Sequence, residues 1–145
     1  MNNLLRLSTD IARSEPRRRI SEPNPARGIS FTPTIDHWVL QFHGIAADRL
    51  DDPDQLPNLL NEVVDALGLT PVSEHSHYFQ PGVSTVIILS ESHLSAHTWP
   101  EFGYMHVDIV TCVRKLTGPN LKRAFEAVFE PELTELVQLD YTRQD

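Results

Sequence analysis

One cysteine, Cys112, is all that the 145-residue chain holds. No disulfide can form within it, and nothing in its cysteine usage points to an oxidising compartment. Long apolar runs are also missing. No stretch approaches the roughly 20 apolar residues that a bilayer crossing needs, and the N-terminus has no apolar signal-peptide core. A cytoplasmic protein with no membrane partner is expected. Basic residues are scarce, 12 against 20 acidic ones, for a net charge of -8. The scarcity is uneven: residues 1–35 carry six arginines and three acids, a net of +3, which leaves -11 for residues 36–145. An acidic body lacks the basic footprint that nucleic acid requires, so no nucleic-acid partner is expected. A cationic small substrate is compatible with it, as is a plain solvated acidic surface. There is no HExxH and no paired CxxC, so the many histidines do not spell a metal site. No G-x-S-x-G nucleophile elbow is present either.

What is present fits one domain with a real core, 40% of the residues being hydrophobic. Residues 1–35 hold four prolines and few large apolar residues after Ile11. They read as a disordered Arg/Pro-rich arm, with a short helix near residues 3–13. Residues 36–145 read as a single domain. "IDHWVLQFHGI" (35–45) alternates as a half-buried strand does, with Trp38, Leu40 and Phe42 on one face. Leu56, Leu59, Leu60, Val63, Val64 and Leu67 recur at helical spacing over residues 54–67, with acids at the start and Gly68 after the end. Strands are expected over 72–79, 83–90, 104–112 and 132–141, with Pro81-Gly82 as a turn. A second helix opens at Gly118-Pro119-Asn120 and buries Leu121, Ala124, Phe125, Val128 and Phe129. The order β-α-β-β-β-α-β predicts an α+β two-layer sandwich: a mostly antiparallel sheet with two helices on one face. The other face must be polar or meet a partner.

One stretch crowds reactive side chains together: "SESHLSAHTWPEFGY" (90–104), directly after the apolar Val86-Ile87-Ile88-Leu89. Cys112 ends the next strand. A lone cysteine is commonly a small buried residue. Beside a histidine such as His106, a thiol can instead act as an acid or base. Spacing alone leaves both readings open.

"GVSTVIILSESHLSAHTWPEFGYMHVDIVTC" (82–112) closely resembles the core of the bacterial pyruvoyl-dependent S-adenosylmethionine decarboxylases, enzymes of spermidine synthesis. The likeness runs almost continuously over about thirty residues. It implies an inactive proenzyme cut between Glu91 and Ser92. In that family the serine hydroxyl attacks the preceding carbonyl, and β-elimination leaves a pyruvoyl group on the new N-terminus. The resemblance assigns this to Ser92, with Glu91 as its cleavage-site partner, His97 as processing proton acceptor and Ser84 as a processing aid. It implies a Schiff base between the pyruvoyl carbonyl and the substrate amine, with the carbonyl as electron sink and no metal. Cys112 matches the proton donor, and a thiol's ordinary pKa of about 8.5 suits the task. Phe79 and Glu101 match positions that stack on the adenine and bind the ribose. The expected assembly is a homodimer of cleaved protomers whose sites draw on both subunits.

Three departures stand out. "FQPGVS" is one residue shorter than the family pattern, Thr85 replaces a glycine, and Val113 replaces the glycine after the cysteine. They bear on specificity, so a basic amino acid such as ornithine or arginine is the alternative substrate. An uncleaved, non-catalytic binding or regulatory homologue is the other alternative.

Overall fold

The computed structural model describes residues 34–113 and 116–140. The arm read over residues 1–35 therefore lies, up to residue 33, outside the described residues. The elements run β1 (Asp36–His43), α1 (Gln55–Ala66), β2 (Pro71–Tyr78), β3 (Val83–Leu89), β4 (Ser92–Trp99), β5 (Tyr104–Thr111), α2 (Gly118–Phe129) and β6 (Leu133–Leu139). The strands form one sheet in the order β2-β3-β4-β5-β1-β6, every neighbour antiparallel.

Period-2 patterning decides which side of each strand is buried. Trp38, Leu40 and Phe42 of β1 share the core with Met105, Val107 and Ile109 of β5. Both helices bury their stripes there too: Leu56, Leu60, Val63 and Val64 from α1, and Leu121, Ala124, Phe125 and Phe129 from α2. The expected two-layer α+β sandwich is the architecture found. The helix ends follow from local chemistry. Asp52 Oδ1 accepts from the backbone N–H of Asp54 and Gln55 ahead of α1, and Gly68, at φ 69°, turns the chain after it. The Thr117 hydroxyl caps α2 by accepting from Asn120 N–H.

The sequence predicts five strands, and the structure has six. The additional one, β4, runs through the stretch that crowds reactive side chains together, over which the sequence predicts no strand. Leu94, Ala96 and Thr98 face the core, while His93, Ser95 and His97 face away. Only Leu94 among the inward residues is large and apolar, so hydropathy barely registers the alternation. Thr98 is buried without cost because its hydroxyl donates to Leu50 C=O at 2.6 Å and accepts from Val83 N–H at 2.9 Å. Thr85, where the family pattern has glycine, is likewise buried and shares a 2.8 Å hydrogen bond with the Ser76 hydroxyl. At the opposite end of β4 the chain reverses through a short 3-10 turn, Pro100–Phe102, into Gly103. That glycine has φ 59°, and a Cβ there would come within 2.9 Å of Ile45 C=O.

Phe125 is fully buried, its ring centred 4.9 Å from that of Phe42. Phe125→Ala is expected to cost about 3–5 kcal/mol in chemical denaturation, from lost burial plus a cavity. A loss under about 1 kcal/mol would show that α2 does not anchor the core as described.

Candidate active site

The two residues Ser90 and Glu91 link β3 to β4, with Leu89 paired to Ser92. Two-residue hairpins need positive φ values, which glycine or asparagine usually supplies inside the turn. Here the positive φ falls one residue later, on Ser92, at 146°. A non-glycine residue in that region holds about 1–3 kcal/mol of strain. The surroundings keep it there. Ser90 N–H donates to Thr70 C=O at 2.9 Å, and Thr70 N–H donates back to Glu91 Oε2 at 3.1 Å. Glu91 C=O accepts from Cys112 N–H at 2.8 Å. Ser92 Oγ lies 3.1 Å from His93 Nδ1. So the peptide bond ahead of a strained residue has a hydroxyl on one side and a hydrogen-bond donor on its carbonyl.

The sheet face turned away from the helices carries all seven histidines: His37, His43, His75, His77, His93, His97 and His106. They sort into two ends. At the Ser92 end, His37 Nε2 is hydrogen-bonded to Asp108 Oδ2, and His93 Nε2 lies 3.7 Å from Asp108 Oδ1. At the other end, Ser84 Oγ and His97 Nδ1 are 2.7 Å apart, and the rings of His97 and His106 are centred 6.4 Å apart. Burial, and then the neighbouring His106, push the His97 imidazole below its ordinary value of 6.5, with Asp108 pulling weakly the other way. A histidine so placed stays neutral and basic at neutral pH.

The residues singled out from sequence divide between these ends. Ser92, Glu91 and Cys112 meet at the β3–β4 turn. Cys112 lies just past the end of β5, with its thiol exposed. Ser84 and His97 pair with each other instead, and five residues of strand separate His97 from Ser92, on the order of 16 Å. Phe79 flanks the His97 end and is 63% exposed, so it is not part of the core. Its ring meets that of His77 edge-on, 4.7 Å between centroids. Glu101 is exposed in the turn after Trp99. Sequence reasoning gave no role to His93, Asp108, His37 or the Thr70 backbone. The adjacency of His93 to Ser92, and Asp108 facing away from the core, were the available signals. Among the described residues no three His, Cys, Asp or Glu side chains are grouped to hold a metal ion. A cavity of about 420 Å³ between α1 and α2, lined by Leu67, Leu116, Arg123, Ala124 and Val128, belongs to the helix layer and touches none of these groups.

Comparison with known proteins gives a consistent result. A family model described as S-adenosylmethionine decarboxylase matches residues 36–141. A protein of Methanococcus maripaludis called S-adenosylmethionine decarboxylase proenzyme is 36% identical over 104 residues, 71% of this chain and 85% of that one. A protein of the same name from Persephonella marina is 42% identical over 77 residues, 52% of this chain and 58% of that one. The crystal structure of the adenosylmethionine decarboxylase from Aquifex aeolicus superposes with a TM-score of 0.66 at 26% identity, covering 79% of this chain and 100% of that chain.

His97 is expected to titrate below 6.5 in the folded protein, followed by NMR of its imidazole protons. Unfolding restores the ordinary value, so the unfolded chain binds more protons in that window, and acidification from 6.5 downward costs stability. His106→Ala should raise the His97 midpoint, because a neighbouring positive charge is removed. A wild-type midpoint at or above 6.5 would refute the assigned environment.

Proposed function

The chain belongs to the S-adenosylmethionine decarboxylase family, and on that premise we propose how its residues divide the chemistry. It decarboxylates S-adenosylmethionine, and it is made as a proenzyme that cuts itself between Glu91 and Ser92. The observation that carries this reading is the turn at Ser92: positive φ, its own hydroxyl at hand, and the preceding carbonyl held by Cys112 N–H.

Processing starts when Ser92 Oγ adds to the carbonyl carbon of Glu91. The carbonyl oxygen gains negative charge, and the Cys112 N–H already points at it. A single such donor is worth roughly 10²–10³ in rate where charge develops on oxygen. Breaking the C–N bond then leaves an ester on Oγ and a free amine on Ser92. Removal of the Ser92 α-proton expels the Glu91 carboxylate. Water then replaces the nitrogen, which leaves as ammonia, and the new N-terminus is a pyruvoyl group. That group supplies a carbonyl that takes the substrate amine and accepts the electrons released with carbon dioxide. The residues around it fit the task, since Ser92 is half-buried at the start of β4, with the exposed Cys112 just past the end of the neighbouring β5. The Cys112 thiol, beside the same turn and exposed, returns a proton to the decarboxylated carbon.

His97 removes the α-proton, with Ser84 orienting its ring through the 2.7 Å hydrogen bond. The separation of about 16 Å along β4 bars His97 from the Ser92 of its own chain. The partner's His97 therefore serves it, in a homodimer that covers the open sheet faces. The exposed Val86, Ile88, Val137 and Leu139 on that face support such a contact. Phe79 stacks on the adenine, and Glu101 accepts from the ribose hydroxyls. The acidic domain suits a sulfonium cation.

Intact mass spectrometry of the purified protein should give fragments 1–91 and 92–145. Ser92→Ala should give one whole chain. Cys112→Ala should cleave, yet release carbon dioxide from S-adenosylmethionine on the order of 10²-fold more slowly. Release from ornithine or arginine instead would correct the substrate. Ser92→Ala and His97→Ala chains should each stay whole alone. Co-expressed, they should yield cleaved His97→Ala chains, and none at all would refute the shared site.

A further inference from the structure

We propose that His93 is a catalytic residue of the processing reaction, the base that takes the hydroxyl proton of Ser92, and that Asp108 is its positioning residue. The inference deepens the self-processing reading and rests on it. That reading gives the partner's His97 the later α-proton and names no acceptor for the first proton transfer, and the chain's own His97 stands about 16 Å along the strand.

His93 Nδ1 lies 3.1 Å from Ser92 Oγ, within reach for a direct transfer. Its other nitrogen, Nε2, lies 3.7 Å from Asp108 Oδ1. A carboxylate there favours the tautomer that carries hydrogen on Nε2, which leaves Nδ1 bare to accept from the hydroxyl. Asp108 is itself fixed, because its second oxygen bonds His37 Nε2. The chain of groups thus runs His37, Asp108, His93, Ser92 and crosses β1, β5 and β4. Across the strand pairs His93 meets only Ile88 of β3 and Val110 of β5, both apolar, so no competing donor reaches it from those positions. The order of hydroxyl, imidazole and carboxylate is that of a nucleophile activated by an oriented base. Here the nucleophile's target is the peptide bond on its own amino side.

The step balances without any co-reactant. As Oγ bonds to the Glu91 carbonyl carbon, the Oγ proton moves to His93 Nδ1. When the C–N bond breaks, its electron pair stays on the Ser92 nitrogen, which takes that proton back from His93. An amide and a hydroxyl become an ester and an amine, and His93 ends neutral as it began.

The test separates this step from the later elimination. Wild-type, His93→Ala, His93→Gln, Asp108→Asn and His97→Ala chains are made by cell-free synthesis, and cleavage is followed over time by intact mass. His93→Ala and His93→Gln should both cleave at least about 100-fold more slowly than wild type. Asp108→Asn should slow cleavage by less. Hydroxylamine, which cuts esters, should release fragment 1–91 from stalled His97→Ala but not from stalled His93→Ala. Added imidazole should restore cleavage to His93→Ala, which it could not do if His93 served packing alone. Cleavage of both His93 variants at the wild-type rate overturns the inference, and so does a hydroxylamine-sensitive ester building up in them. A wild-type chain that stays whole instead overturns the self-processing reading, and this one with it.

Discussion

The hydrogen bond from Cys112 N–H to Glu91 C=O is the contact on which the site turns. It joins the tip of the β3–β4 hairpin to the end of β5, two places that the pairing of β4 with β5 already brings close. With the Thr70 contacts, it holds the turn so that its strain falls on Ser92 and not on Ser90 or Glu91. A relaxed hairpin would carry glycine in the turn and spread no strain onto the strand. A strained φ persists only where the surroundings over-determine it. Three hydrogen bonds to one two-residue turn, two between backbone groups and one to the Glu91 carboxylate, meet that condition. The same N–H that fixes the turn also faces the oxygen where charge develops in the proposed processing step, so the restraint and that chemistry share one donor.

The rest of the fold serves this arrangement by leaving one face of the sheet uncovered. Both helices lie on the other face and take most of the large apolar residues with them. Histidines, serines and Asp108 then occupy the positions that alternate with the core along β3, β4, β5 and β1. The sheet register sets their neighbours: Ser84 stands opposite His97, and His97 opposite His106. Histidine is the side chain whose ordinary pKa lets it gain or lose a proton near neutral pH. A sheet face lined with it can pass protons at more than one place. Both His97 and His93 are half-buried, but His97 stands beside His106 and His93 beside Asp108, so the two ends offer different surroundings for the proposed transfers.

Much of this was legible in the sequence wherever large apolar residues mark the period. β1, β5 and both helix stripes follow from Trp38, Leu40 and Phe42, from Met105, Val107 and Ile109, and from the i, i+3, i+4 leucines and valines. β4 was not legible, because its core positions are Leu94, Ala96 and Thr98. A threonine at a core position is acceptable only when its hydroxyl finds partners, and those come from Leu50 and Val83, distant in sequence. The resemblance named Ser92, His97, Ser84 and Cys112 as one set. Strand geometry divides that set into two ends, which no list of residues could reveal. His93 and Asp108 went unassigned because their pairing crosses strands. Asp108 meets His93 only through the β4–β5 register.

The distance between the two ends has a consequence for how the proposed roles combine. The first proton transfer uses His93, Asp108 and the Cys112 N–H, all within one chain and all around one turn. The second uses His97 and Ser84, which a strand length of about 16 Å keeps away from the Ser92 of the same chain. The proposed roles thus make ester formation a property of the folded protomer, and chain cleavage a property of the pair. The ester step is reversible, since its amine stays tethered beside the carbonyl it left, whereas elimination is not. A lone protomer can therefore move between amide and ester without losing its intact chain. On the proposed roles, commitment comes only when a second sheet face brings its histidine across, so that the cofactor forms where a complete site already surrounds it.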